Sequence, residues 1–271
     1  MRIIGHGTET YLYLSGLSTL KEIPLRDGIV LAPVMSDFHY GKVSKLLEND
    51  VDFAVAAVSA RNIGSQLRIS ASDAKQLAMS AWNAGWDCIL LGAIFHCEVM
   101  GNIQCDKPVE DLANATSVNV TNHAFRAVLS KPYQLTDDDE NWIAAHYAKA
   151  YKLLDNDAFR TAVHAMASYK WHSMPRVQLA ILWSGIEALF EVRWDIRSRL
   201  SSYVANYLAG GDTEKVQEII DRVKKLYNTR CEAVHGSRIK GDVGELIAKS
   251  AHLLNLIIRR CAEYGSLPDT E

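Results

Sequence analysis

Cysteine is scarce and unpatterned in this sequence. Five cysteines (Cys88, Cys97, Cys105, Cys231 and Cys261) are scattered through 271 residues, odd in number and never in CxxC spacing. That excludes a disulfide-stapled scaffold, and reduced thiols are expected. His96-Cys97 with Cys105 offers side chains of metal-binding type, but the four ligands at defined spacing that a structural zinc needs are missing. Core packing accounts for them, and no cofactor is expected. Long apolar runs are also lacking. Asp87–Phe95 is too short to cross a bilayer and polar residues bound it, so no membrane association is expected. The first ten residues have no apolar centre and no small-residue cleavage site, which predicts a cytoplasmic protein without a leader. With six prolines, no internal repeat and no low-complexity stretch, collagenous and disordered classes are excluded.

A strong charge imbalance is the next absence. Lys and Arg total 29 against 32 Asp and Glu, a net charge of −3. A protein that coats nucleic acid through bulk positive charge is excluded. A localised site that handles one phosphodiester is not, because it needs only one or two well-placed cations. What is present is the composition of a folded globular protein, 48% hydrophobic and 23% charged, long enough for one large domain or two ordinary ones.

The first 133 residues mix strand and helix signals. Tyr11–Ser15 and Gly28–Val34 read as short strands, with Arg26-Asp27-Gly28 as a turn before the second. Asp50–Ala60 is ambiguous between a buried strand and a helix, and its length and alanine content lean helical. Ser72–Trp82 reads as a helix capped by Ser72, and Ser117–Thr121 as another strand. The composition shifts at Ser130–Asp139, where Thr136 is a good N-cap and the acids behind it suit the positive end of a helix dipole. Beyond it every sizeable segment has helical periodicity. Trp142, Ala145, His146, Lys149 and Leu153 lie along one helix. Pro175 opens another, Val177–Phe190, apolar over most of its circumference and therefore central. Gly210-Gly211 ends the next. Val216, Ile219, Ile220, Val223, Leu226 and Tyr227 follow with the spacing of one buried stripe, and a last helix runs from about Val243 to Cys261. The fold class is therefore α+β, a mixed α/β domain over 1–133 followed by an all-α helical bundle over 134–271.

Arg230 and His235 are the residues of chemical interest. Five positions apart on a regular helix, their side chains point roughly 140° apart, so convergence needs a break near His235-Gly236 or a second copy of the chain. Their setting is more specific than their spacing. Leu226–Gly236, a Tyr-x-x-Arg stretch closing in Val-His-Gly, resembles the signature of the HEPN superfamily in its Apea-like form. Trp183–Phe190, with its Ile-Glu-Ala-Leu-Phe core, is similar to the family's preceding helix, and Arg197–Leu208 to the amphipathic segment between them. The resemblance covers residues 175–240.

It implies a HEPN-type bundle and a metal-independent endoribonuclease with a composite site at a homodimer interface. Its biological setting would be that of a toxin or antiphage effector, with an antitoxin or other regulatory partner and the N-terminal domain as regulator or sensor. In that chemistry a neutral His235 takes the proton from a ribose 2′-hydroxyl or protonates the departing 5′-oxygen. Arg230 offers a planar fork to the phosphate oxygens that gain charge. Cleavage would leave a 2′,3′-cyclic phosphate on the RNA substrate. Cys231 stands where family members often carry a polar residue, and it bears on the orientation of Arg230. Glu187, in the most apolar helix, either orients Arg230 or His235 or forms a structural ion pair with another arginine. Tyr227 either stacks on a base or packs in the core. Lys224, Lys225 and Arg238, with Arg222 and Lys240, flank the motif and either guide RNA or form a solvated face. The alternative function is a non-catalytic domain of the same type that binds a nucleotide, RNA or a partner protein.

Overall fold

The computed structural model describes Gly5, residues 7–123, Val128 and residues 130–236 and 239–270. In chain order its elements are β1 (Glu9–Ser15), β2 (Leu17–Ser18), β3 (Ile23–Arg26), β4 (Ile29–Pro33), α1 (Tyr40–Val43), α2 (Asp50–Ser59), β5 (Ile63–Ser70) and α3 (Ala74–Phe95). Then come β6 (Met100–Cys105), β7 (Val118–Val120), β8 (Tyr133–Gln134), α4 (Asp137–Leu153), α5 (Asp157–Ser168), α6 (Pro175–Phe190), α7 (Ile196–Ala209), α8 (Thr213–Val234) and α9 (Val243–Tyr264). A strand-rich region is followed by helices, an α+β fold. The ambiguous Asp50–Ala60 segment is helix, opened by the Asn49 side chain accepting from the Asp52 amide.

Contacts divide the chain into two units, Met1–Leu91 with Cys97–Ala148, and Gly92–His96 with Lys149–Glu271. The sequence reading placed one cut at 133/134. The first three turns of α4, up to Ala148, belong instead with the first unit, and polar side chains tie their start there. Thr136 and Asp139 cap α4 reciprocally, Thr136 Oγ1 accepting from the Asp139 amide at 3.2 Å and Asp139 Oδ2 from the Thr136 amide at 3.0 Å. Lys21 pairs with Asp137 at 3.4 Å and also with Glu140. The buried stripe of α4 is Ile143, Tyr147 and Ala150, one position beyond the Trp142–His146 line.

The first unit is built on a six-stranded sheet of order β3-β4-β5-β1-β6-β7, every neighbour antiparallel. Its two central strands are β5 and β1. One face carries Tyr11, Tyr13, Ile103 and Cys105 against Val43, Val55 and Ala56 of α1 and α2. The other face meets α3, whose Cys88 lies where any side chain on Gly101 would have to go. Leu77, Ala81, Ala84, Cys88 and Leu91 are the buried stripe of that helix. Its cap is Asp73, which accepts from the Gln76 amide at 2.9 Å, rather than Ser72. The Asp87–Phe95 run, short by itself, is the end of this 22-residue helix. Among the described residues α3 alone has the length and apolarity of a membrane span, and 56% of its most apolar stretch is buried in the fold, as in a core helix.

One buried charge fixes α3 within this unit. Asp87 has no exposed surface and accepts from Arg26 Nε at 3.1 Å, Arg26 Nη2 at 2.7 Å and Tyr147 Oη at 2.9 Å. Burial raises its carboxyl above the usual range while Arg26 opposes the shift. A strand, a helix and a later helix thus meet at one carboxylate.

The second unit is a bundle around α6, which contacts α5, α7, α8 and α9. Pro175 occupies its first turn, where the missing N–H costs nothing. Gly185 lets α5 approach closely, since a Cβ there would lie 2.9 Å from Ala165 Cβ. Trp183 links two neighbours. Its ring stands edge-on to Tyr227 of α8 at 5.3 Å, and its Nε1 donates to Ser250 Oγ of α9 at 3.3 Å. Where α3 ends, His96 adopts φ 51° and its Nε2 lies 2.8 Å from Tyr169 Oη. Burial, then the charges of Lys170 and His252, lower the His96 imidazole to about 4.

Two outcomes follow from these buried groups. Asp87→Ala removes the buried carboxylate that Arg26 and Tyr147 share and should lower unfolding free energy by about 3–5 kcal/mol, against about 1 kcal/mol for Tyr147→Phe. Urea denaturation monitored by circular dichroism measures both, and equal small effects would refute the network. His96 has a folded pKa below its unfolded value of about 6.5, so on acidification the unfolded chain takes up the proton first. Its contribution is therefore complete above about pH 6.5 and lost as pH falls toward 4. The urea midpoint of the protein should fall across that window more steeply than that of His96→Gln.

Candidate functional site

Helix α8 carries the motif because Asp212 caps its start, accepting from the Glu214 and Lys215 amides, and the sequence holds helical spacing to Val234. His235 is the C-cap, with φ −88° and ψ 9°, its amide donating to the Cys231 carbonyl at 3.0 Å. Gly236 follows at φ 77°, the left-handed conformation in which glycine ends helices. The break expected near His235-Gly236 is there, one residue after the helix ends.

Arg230 points toward α6. Its Nε lies 2.8 Å from Glu187 Oε1 and its Nη2 donates to Glu187 Oε2 at 3.0 Å. Both side chains are about a quarter exposed, 23% for Arg230 and 25% for Glu187. Of the two roles open to Glu187, the structure shows it paired with Arg230, through one hydrogen bond at Oε2 and a close approach of Nε to Oε1. Tyr227, one turn earlier, is buried at 6% exposure, with the Arg230 guanidinium 5.6 Å from its ring centre. Burial and then the Glu187 charge push its phenol up, while Arg230 opposes them. Trp183 backs the same ring. Four side chains from α6 and α8 therefore form one cluster, and Tyr227 serves it as packing.

The remaining predicted residues lie apart from that cluster. His235 is exposed, and among the described residues its side chain makes no hydrogen bond or ion pair. Cys231 is half-buried and unbonded to another cysteine. Lys224 is half-buried and Lys225 exposed, while Arg238 lies outside the described residues. Within one chain, then, Arg230 and Glu187 come together and His235 stays at the helix end. Among the described residues no group of three or more His, Cys, Asp or Glu side chains is placed to share a metal ion.

Arg176 was not singled out from the sequence. Standing in the first turn of α6, it donates from Nη1 to the carbonyls of Glu232 at 2.9 Å and Ala233 at 3.2 Å. Those are carbonyls that a helix leaves unpaired at its C-terminus. The guanidinium also sits against the negative end of the α8 dipole, immediately before His235. A signal was present in the sequence: a cation in a first turn opposes its own helix dipole and needs an outside acceptor. Lys240 adds to the same region, its amide donating to Glu232 Oε2 at 3.1 Å.

The Glu187–Arg230 pair should be energetically coupled. Glu187→Gln and Arg230→Ala should each cost about 1–3 kcal/mol, less than a fully buried pair because both groups keep some solvent. The double variant should lose clearly less than the sum, by urea denaturation, whereas strict additivity would show two independent contacts. Comparison with known proteins found no family model, no curated protein and no solved structure that matches this chain.

Proposed function

We propose that the protein is a metal-independent endoribonuclease of the HEPN type, cytoplasmic, acting as a homodimer. The observation that supports it most is the arginine of the Tyr-x-x-Arg stretch held in a fixed orientation by Glu187, with His235 at the solvent-facing end of the same helix. A guanidinium has five N–H donors, and Glu187 engages only the Nε and Nη2 side, which leaves Nη1 for a phosphate oxygen. His235 is free to exchange a proton with a substrate. In the proposed step His235 takes the 2′-hydroxyl proton, the 2′-oxygen attacks phosphorus, and the 5′-oxygen leaves, protonated by the imidazolium so formed. A 2′,3′-cyclic phosphate and a 5′-hydroxyl result. Arg230 stabilises the negative charge that builds on the phosphoryl oxygens. The separation of the two groups on one helix is met by pairing two copies, so that each strand of charge and base faces its counterpart across a two-fold axis. A toxin or defence role, with an inhibitory partner, goes with this reading.

A second reading rests on a specific contact. Glu187 neutralises Arg230 and Cys231 gives the arginine no further polar anchor, which suits a domain that binds RNA, a nucleotide or a partner without cutting it.

The test is cleavage of a labelled single-stranded RNA by the purified dimer in EDTA. Cleavage with cyclic phosphate ends is expected, and His235→Ala should slow it at least about a hundredfold with circular dichroism unchanged. Undiminished cleavage by His235→Ala sinks the catalytic assignment. RNA retention without cleavage, lost in Arg230→Ala, establishes the binding reading instead.

A further inference from the structure

Of the six tryptophans, Trp194 is the most exposed, at 67%, in the loop from α6 to α7. Its ring is nevertheless held. The Arg199 guanidinium of α7 lies 4.0 Å from the indole centre and 5.5 Å from that of the Tyr203 ring, and its Nη2 donates to Tyr203 Oη. The guanidinium thus covers one face of the indole, and the exposure belongs to the opposite face and the edge. The backbone is bent to put the ring there. Glu191 and Asp195, on either side of Val192–Trp194, have φ 47° and 44°, left-handed values that non-glycine residues rarely adopt. Asp195 stands at the N-cap of α7, where Asp212 and Asp242 cap α8 and α9 with their carboxylates. Its left-handed backbone forgoes that bond. Such strain gathers at ligand-holding sites rather than in ordinary connections.

The guanidinium behind the indole decides what the open face accepts. It already occupies the ring's attraction for a cation, so a second cation would meet like charge across the ring. A flat neutral ring stacks without that penalty. The surroundings narrow the choice again. Arg193, Asp195, Arg197 and Ser198 are exposed and polar, while Val192 and Ile196 are half-buried. A protein hot spot needs a rim of packed contacts that keeps water out, and this loop has no apolar rim to offer. A stacked base needs only the π-face and contacts to its backbone. The side chains of Arg193 and Arg197, one residue before Trp194 and three after, have no hydrogen-bond or ion-pair partner among the described residues. Their planar donors suit the phosphates beside a stacked base. Glu191 and Asp195 offset two of the three arginines, so stacking rather than charge is the main attraction.

We infer that Trp194 is a stacking platform for one base of single-stranded RNA, with Arg193 and Arg197 on the flanking phosphates. This deepens the reading of the Arg230 site and rests on it for RNA as the strand. The placement fits. Glu187, which holds Arg230, stands in the last turn of α6, its carbonyl accepting from the Glu191 amide at 3.1 Å. The platform loop therefore begins at the helix end from which Glu187 meets Arg230. A base held there anchors the strand without touching the groups assigned to the chemistry.

The measurement is fluorescence anisotropy of a labelled, unstructured 2′-O-methyl RNA, which lacks the attacking hydroxyl and stays uncut, titrated with the full-length protein. Trp194→Ala should weaken binding about tenfold, within what base–aromatic stacking supplies, with circular dichroism unchanged. Trp194→Phe, which keeps a π-face, should retain most of the affinity, and Trp194→Leu, which keeps only apolar bulk, should not. The same strand as a duplex, its bases already stacked, should bind Trp194→Ala as it binds the parent. Arg193→Ala should reduce the slope of log affinity against log salt by about 0.7. Equal affinity of Trp194→Ala and the parent for the single strand would overturn the platform, and so would a Leu variant as good as the Phe one. Self-association abolished by Trp194→Ala, without RNA binding, would also overturn it and make a second copy the occupant. The two readings fail separately. Trp194-dependent binding by a protein that never cuts ordinary RNA keeps the platform and removes the nuclease, while cutting with binding indifferent to Trp194 does the reverse.

Discussion

Helix α6 packs against four others, and a charge on its covered side needs a partner. Leu179, Leu182, Trp183, Ile186, Leu189 and Phe190 fill its contacts, and Gly185 is as small as it is because α5 passes within van der Waals reach. Its charged residues are Arg176, in the first turn, and Glu187. A carboxylate only a quarter exposed carries a desolvation cost unless a cation meets it. Arg230 meets it from α8, and the pair contributes to the rotation of α8 about its axis. The remaining arrangement follows from that rotation. Tyr227 must then face Trp183, Leu226 and Val223 enter the core, and His235 emerges at the end of the helix.

Arg176 closes the same arrangement from the other end. α6 begins where α8 ends, and one guanidinium in the first turn of α6 accepts the task of satisfying two terminal carbonyls of α8. The helix end that presents His235 is therefore held by a side chain rather than by water. Side-chain charges placed against helix dipoles recur along the chain: Asp212 and Asp242 open α8 and α9, and acids fill the first turn of α4. The first unit uses a comparable device, one buried carboxylate, Asp87, that collects Arg26 and Tyr147 from distant parts of the chain.

Much of this was legible in residue order. Most helices of the second half were, because their apolar positions recur with one period and their ends carry Pro175, Thr136 and Gly236. Strand β5 was not. Ile63–Ser70 alternates small, polar and charged residues with few large apolar ones, yet it lies at the centre of the sheet, where Gln66 and Ser65 are buried by hydrogen bonds to distant groups. Helix α3 was read only over its first half, since its apolar second half has no clear periodicity. Ser72 and Asp73 are both good caps, and only the backbone geometry selects Asp73.

At the candidate site the division is similar. The sequence alone determined that Arg230, Cys231 and His235 share the last turns of one helix, that Glu187 lies within an apolar helix, and that glycine ends the motif, since these are matters of local spacing and propensity. Only the tertiary structure decided that Glu187 engages Arg230, that Tyr227 packs rather than projects, and that Arg176 caps α8. Each of these joins residues from separate helices, and the period of one helix fixes the face a side chain occupies but not which neighbour that face meets.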